Sequence, residues 1–86
     1  MKYNVTCTRR TAEMIEATIN AEIADNYIGD TIEADTAEEA IEIAMDYIAE
    51  QINAVSEHRA EVEGSSVIVY GEDDEVIEEY TNFEAK

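Results

Sequence analysis

The sequence predicts an α+β domain in which two helices pack on a small, mostly antiparallel sheet. Three observations predict it. Tyr3, Val5 and Cys7 alternate with Asn4, Thr6 and Thr8, the pattern of a half-buried strand. From Thr36 a capping signal leads into a long apolar stripe at helical spacing. The last third carries β-branched and aromatic runs divided by glycine-led turns. A chain of 86 residues has room for one core, so residues 1–86 are expected to form a single compact acidic domain.

The elements follow in order. Lys2 to Thr8 reads as the first strand, with Arg9 and Arg10 as an exposed exit. Thr11 to Ile28 fits two periods. Ile15, Ile19 and Ile23 alternate with polar residues as a strand would, whereas Met14, Ala17, Ala21, Ala24 and Ile28 recur at helical spacing. Length, alanine content and Gly29 at the C-terminal cap position favour the helix, with Thr11 as its N-cap. Thr31 to Ala34 reads as a short strand. Thr36-Ala-Glu-Glu39 is a capping box, and the helix it opens runs to about Val55. Ala37, Ala40, Ile41, Ala44, Ile48, Ile52 and Val55 line its apolar face, with Met45 beside them. Arg59 to Glu63, Val67 to Tyr70 and Glu75 to Phe83 then form an antiparallel meander around turns at Gly64 and Gly71.

Charge narrows the function classes. Twenty-two Asp and Glu face five Lys and Arg, for a net charge of −17. Direct binding to DNA or RNA needs cationic side chains that displace counterions, and so does a polybasic membrane contact. Both are excluded as expectations, and a positively charged protein partner is expected instead. Thr11 to His58 holds thirteen acids and no Lys or Arg, and Ala60 to Ala85 holds nine more acids with no base. The acidity therefore covers the fold. No apolar run follows Lys2 and no stretch is long and apolar enough for a membrane helix. With Cys7 as the single cysteine, a cytoplasmic location is expected.

Glu38, Glu42, Asp46 and Glu50 recur every fourth residue on the central helix. At 1.5 Å of rise per residue they stand about 6 Å apart. Two unit charges at that distance repel by about 0.7 kcal/mol in water, and physiological salt roughly halves this. Three such steps cost on the order of 1 kcal/mol, against a typical domain stability of about 5–15 kcal/mol. A solvated helix face ordinarily mixes signs, because Glu–Lys pairs four apart stabilise a helix. The row is thus the candidate partner-binding surface, spaced to imitate a nucleic-acid backbone. Glu72, Asp73, Asp74 and Glu75 form a candidate second patch.

Catalytic and metal sites are not expected. His58 has no evident nucleophile and acid partner, and Cys7 sits in phase with the core positions of its strand. The three glycines make no phosphate loop, and Gly71 to Glu75 lacks the ligand spacing of a calcium loop. No cofactor is implied. Tyr27, Tyr47, Tyr70 and Tyr80 are candidate interface anchors, whose alternative role is to cover the edge of the core.

The opening K-Y-N-V-T and the segment I-E-A-D-T-A-E-E-A-I-E-I-A (Ile32 to Ala44) resemble small DpnD/PcfM-like proteins of bacterial mobile elements. In size and acidity the chain resembles phage-encoded anti-CRISPR proteins of the DNA-mimic type. That resemblance implies a non-enzymatic inhibitor in the host cytoplasm that blocks DNA binding by a CRISPR-Cas effector. The alternative is an accessory interaction module of a mobile element that docks through Ile and Tyr surface.

Overall fold

The computed structural model describes residues 1–19, 31–81 and 83–86. Its elements are β1 (Lys2–Thr6), α1 (Arg9–Thr18), β2 (Thr31–Glu33), α2 (Ala37–Val55), β3 (Arg59–Glu63), β4 (Ser66–Tyr70), β5 (Val76–Tyr80) and β6 (Glu84–Ala85). The α+β class is as expected, with two helices on antiparallel strands. The strands form two three-stranded sheets, in the orders β2-β1-β6 and β3-β4-β5, where one sheet was expected. The division follows from pairing. β1 takes β2 on one side and β6 on the other, so neither of its edges is left for the meander. The third expected strand of the meander is also shorter than Glu75 to Phe83. It ends at Tyr80, and the residues beyond Phe83 cross to β1, where Asn4 and Lys86 exchange backbone bonds of 2.8 and 3.0 Å.

α1 starts earlier than expected. Its N-cap is Thr8, whose hydroxyl oxygen accepts from the Thr11 N–H at 3.3 Å and whose proton goes to Thr11 Oγ1 at 2.9 Å. Thr8 satisfies the orphan donors one turn before Thr11 could. Arg9 and Arg10 therefore open the helix, and Arg9 pairs with Glu13 one turn on at 3.1 Å. The inward face follows Thr11, Ile15 and Ile19, so Ile15 is buried and Ala17 is exposed. The α1 backbone ends at Thr18, and the positions expected to continue it, Ala21, Ile23, Ala24 and Ile28 with the Gly29 cap, lie outside the described residues.

α2 begins as the sequence predicts. Thr36 Oγ1 accepts from the Glu39 N–H at 3.1 Å. Ala40, Ala44, Met45, Ile48, Ala49 and Ile52 are buried, and this one face packs on β1, β2 and β6 of the first sheet and on β3 and β4 of the second. Ala40 and Ala44 are fully buried, which lets the helix axis approach the strands closely. Val55 departs from the expected stripe and is 55% exposed. The helix stops there, with the Ser56 N–H on the Ile52 carbonyl at 2.8 Å, and the chain turns away into β3.

Two turns shape the second sheet. Glu63 pairs with Ser66 across Gly64 and Ser65, and Gly64 holds φ +60° at the first loop position, the type II′ requirement. On β5 the register shifts between Val69 and Tyr70, so Ile77 is an extra residue. Val76 and Ile77 are left 56% and 43% exposed.

Two side chains tie the layers together. Asn53 on α2 accepts from the Ala60 N–H at 2.8 Å and donates to the Ala60 carbonyl at 3.0 Å. Those two groups point away from β4, so the amide caps the outer edge of β3. On the other side, Tyr80 is fully buried. Its hydroxyl donates to Glu78 and lies 2.9 Å from Thr18 Oγ1, which is also 3.0 Å from the Met14 carbonyl. Tyr80 has only one proton and gives it to Glu78. Thr18 likewise has one proton, which it donates to the Met14 carbonyl and shares with the Tyr80 oxygen, and this network joins α1 to β5.

Asn53→Ala should lower stability by about 1–2 kcal/mol, since two backbone groups lose their partner. A thermal melt should show a fall of several degrees, about 4–8 °C per kcal/mol for a domain of this size. Asn53→Asp, which keeps the acceptor and loses the donor, should also destabilise.

Burial, and then the bond to Glu78, pushes the Tyr80 phenol from the ordinary 10.0 up to about 12. The folded state thus holds this proton more tightly than the unfolded state does. Its contribution is complete below pH 10 and is lost as pH rises through about 12, an effect on the order of 2 kcal/mol. Absorbance titration of the tyrosines should show a step near pH 12 that is missing in Tyr80→Phe.

Candidate partner-binding surface

The row on α2 is placed as its spacing predicts. Glu38, Glu42, Asp46 and Glu50 are all exposed, Ala40, Ala44, Ile48 and Ile52 carry the core on the other side of the helix, and buried Met45 and Ala49 flank the row. Among the described residues none of the four makes an ion pair or hydrogen bond. The row also runs along a gradient. Glu38 stands in the first turn, where the helix dipole favours a carboxylate, while Glu50 nears the end where it opposes one. No basic residue occupies the last turn.

The second patch is less free than its composition suggests. Gly71 N–H donates to the Glu75 carbonyl at 2.9 Å, and Asp74 N–H to the Gly71 carbonyl at 3.1 Å. Asp73 N–H donates to the Glu75 carboxylate at 3.0 Å. That carboxylate folds back over Gly71, where a Cβ would meet its oxygen and turn the Glu75 side chain aside. Asp74, at φ +60°, reaches Arg59 at 3.0 Å. Glu75 and Asp74 are thereby partly engaged within the turn, and Glu72 and Asp73 carry the more available charge.

Arg59 is the cation of the second sheet. It lies 4.8 Å from the Tyr70 ring centroid and 3.8 Å from Glu61, besides its bond to Asp74. Tyr70 donates its hydroxyl to Glu63, which holds the phenol above its usual range. Tyr70 thus covers the outer sheet surface, and Tyr80 belongs to the core. Tyr47 is half-buried between the apolar and acidic faces of α2, and Tyr27 lies outside the described residues.

The remaining reactive groups sit apart. His58 is exposed just before β3, with its N–H on Ser56 Oγ at 3.1 Å. Cys7 is half-buried against the core, and burial, aided by Glu16, pushes its thiol above the ordinary value. Among the described residues no group of three or more His, Cys, Asp and Glu is placed to hold a metal ion, and no helix is long and apolar enough to cross a membrane. One feature was missed by sequence reasoning. Beside Glu38 and Glu42 is a hollow of about 200 Å³ whose other walls are Ile41, Met45, Gly64 and Ser65. Only the fold brings the Gly64 turn to α2, so spacing along the chain carries no signal of it.

Cys7 should alkylate more slowly than a free cysteine at pH 8, because the thiolate is the reactive form. Unfolding in urea should abolish the difference.

Comparison with known proteins gives no match to the chain among family models, curated proteins or solved structures.

Proposed function

We propose that the protein is a non-enzymatic binding module that sets its acidic α2 face against the basic nucleic-acid-binding surface of another protein and so blocks nucleic-acid entry. The observation that carries this reading is the row Glu38, Glu42, Asp46 and Glu50, exposed along one helix with no cation beside it among the described residues. Such a row matches the task of a nucleic-acid channel, whose Lys and Arg must neutralise closely spaced phosphates. Association driven this way is fast and falls steeply with salt. The specific candidate target is a CRISPR-Cas effector, on the strength of the likeness in size and charge to acidic anti-CRISPR proteins. Glu72 and Asp73 extend the contact, with Asp74 and Glu75 behind them.

A second reading is favoured by a different observation. Val76 and Ile77 are exposed on β5, next to half-buried Ile68 and Tyr70 on β4. This apolar strip suits an accessory module that docks by hydrophobic contact.

The test is target-DNA binding by a panel of purified Cas effector complexes, with and without the protein, at low and high salt. The charge-mimic reading expects loss of DNA binding at low salt and its recovery at high salt. Glu42→Lys with Asp46→Lys should weaken inhibition at least tenfold while leaving the fold as stable or more so, since like-charge repulsion is relieved. Glu33→Lys, outside the row, should change it little. Undiminished inhibition by the double variant would remove the row from the contact. Inhibition that persists at high salt and is lost in Ile77→Lys would favour the apolar strip.

A further inference from the structure

The hollow beside the acidic row has a shape and lining that define what fits it. It lies between the early turns of α2 and the β3–β4 turn, with a volume of about 200 Å³. That exceeds the share of liquid volume of several waters, about 30 Å³ each. The apolar part of its floor is half-buried Ile41, with buried Met45 beneath it. Two carboxylates, Glu38 and Glu42, stand on one side, one helical turn apart, and neither has an ion-pair partner among the described residues. Gly64 and Ser65 form the opposite rim. The turn requires φ +60° at Gly64, and a Cβ there would meet nothing within 4 Å, so this rim is low and open.

This combination selects among ligands. A neutral apolar group would cover the floor and desolvate two charges without pairing them. Among the described residues no third carboxylate, His or Cys joins the two glutamates to hold a bare divalent cation. A long cationic side chain satisfies both parts, because its methylenes lie along apolar surface while its head stays with the carboxylates. Between the two such side chains, the planar fork of arginine can address two carboxylates whose side chains are rooted about 6 Å apart on the helix, and it is more weakly hydrated than an ammonium.

We propose that the hollow receives an arginine side chain of the partner protein. The guanidinium sits between Glu38 and Glu42, and the stem lies on Ile41. The proposal rests on the reading of α2 as a partner surface, and it gives that surface a register, with one anchor at the start of the row.

The experiment titrates the isotope-labelled full chain with N-acetyl-arginine amide, N-acetyl-lysine amide and the uncharged N-acetyl-citrulline amide at physiological salt, read by amide chemical shifts. Arginine should give saturable shifts at Ile41, Met45, Gly64 and Ser65 with a dissociation constant of about millimolar order. Lysine should bind at least threefold more weakly and citrulline should give no saturable shift. Glu38→Gln with Glu42→Gln should weaken arginine binding at least fivefold, and Glu50→Gln should leave it unchanged. Ser65→Lys, which supplies a cation from the rim, should remove it.

Shifts spread evenly along Asp46 and Glu50, equal for arginine and lysine, would overturn the proposal, as would no saturable shift at Gly64 and Ser65. Such a failure leaves the reading of the row untouched, because that is decided by DNA binding of the effector. Conversely, arginine binding in the hollow with no effector inhibited upholds the hollow and removes the inhibitor reading.

Discussion

One face of α2 holds two sheets. β1, β2 and β6 rest on it at one part of its surface, and β3 and β4 at another, while the pairing of β1 leaves the two sheets without a common ladder. That face is therefore shared between the two layers. Ala40 and Ala44 set the approach distance, and Ile48, Ile52 and Met45 fill the space. A larger residue at either alanine would push the helix off the strands it packs on, because packed interiors leave few voids to absorb the added volume. The same constraint leaves the other side of α2 free of packing duties, and that side is where the carboxylates stand.

Legibility in the sequence tracked the range of the interaction. Thr36 and Glu39 lie three residues apart, and the helix start was readable at once. Gly64 marked its turn because glycine is the residue that takes φ +60° without strain. The start of α1 was misplaced by one turn because Thr8 and Thr11 are equally good caps in isolation, and the choice depends on where β1 ends. Tyr80 is left by the sequence between an interface anchor and a cover for the edge of the core. Its burial depends on Thr18, sixty-two positions away, coming within hydrogen-bond range. The split into two sheets was hidden for the same reason. β6 is two residues long and carries no period, so only its pairing with β1 reveals it.

The candidate surface divides along the same line. A row at every fourth residue on a capped helix is a local property, and all four side chains are exposed as that spacing implies. The Glu72 to Glu75 cluster was read by counting charges. Three-dimensional placement subtracts from that count, since Arg59 comes from β3 to meet Asp74 and the Asp73 N–H engages the Glu75 carboxylate. Charge in a sequence is thus an upper bound on charge offered to a partner.

The uneven footing of the carboxylates on α2 gives the helix a direction of fraying. At the Thr36 end, cap, dipole and acids act together. At the Val55 end the dipole meets Glu50 with no basic residue to offset it, and Val55 adds no burial. Amide exchange with solvent would then run fastest in the last turn, up to the point where Ile52 enters the core and Asn53 grips β3. Cations that condense on the row, from salt or from a protein, would slow that opening, which makes the helix end a gauge of how well its charge is being screened.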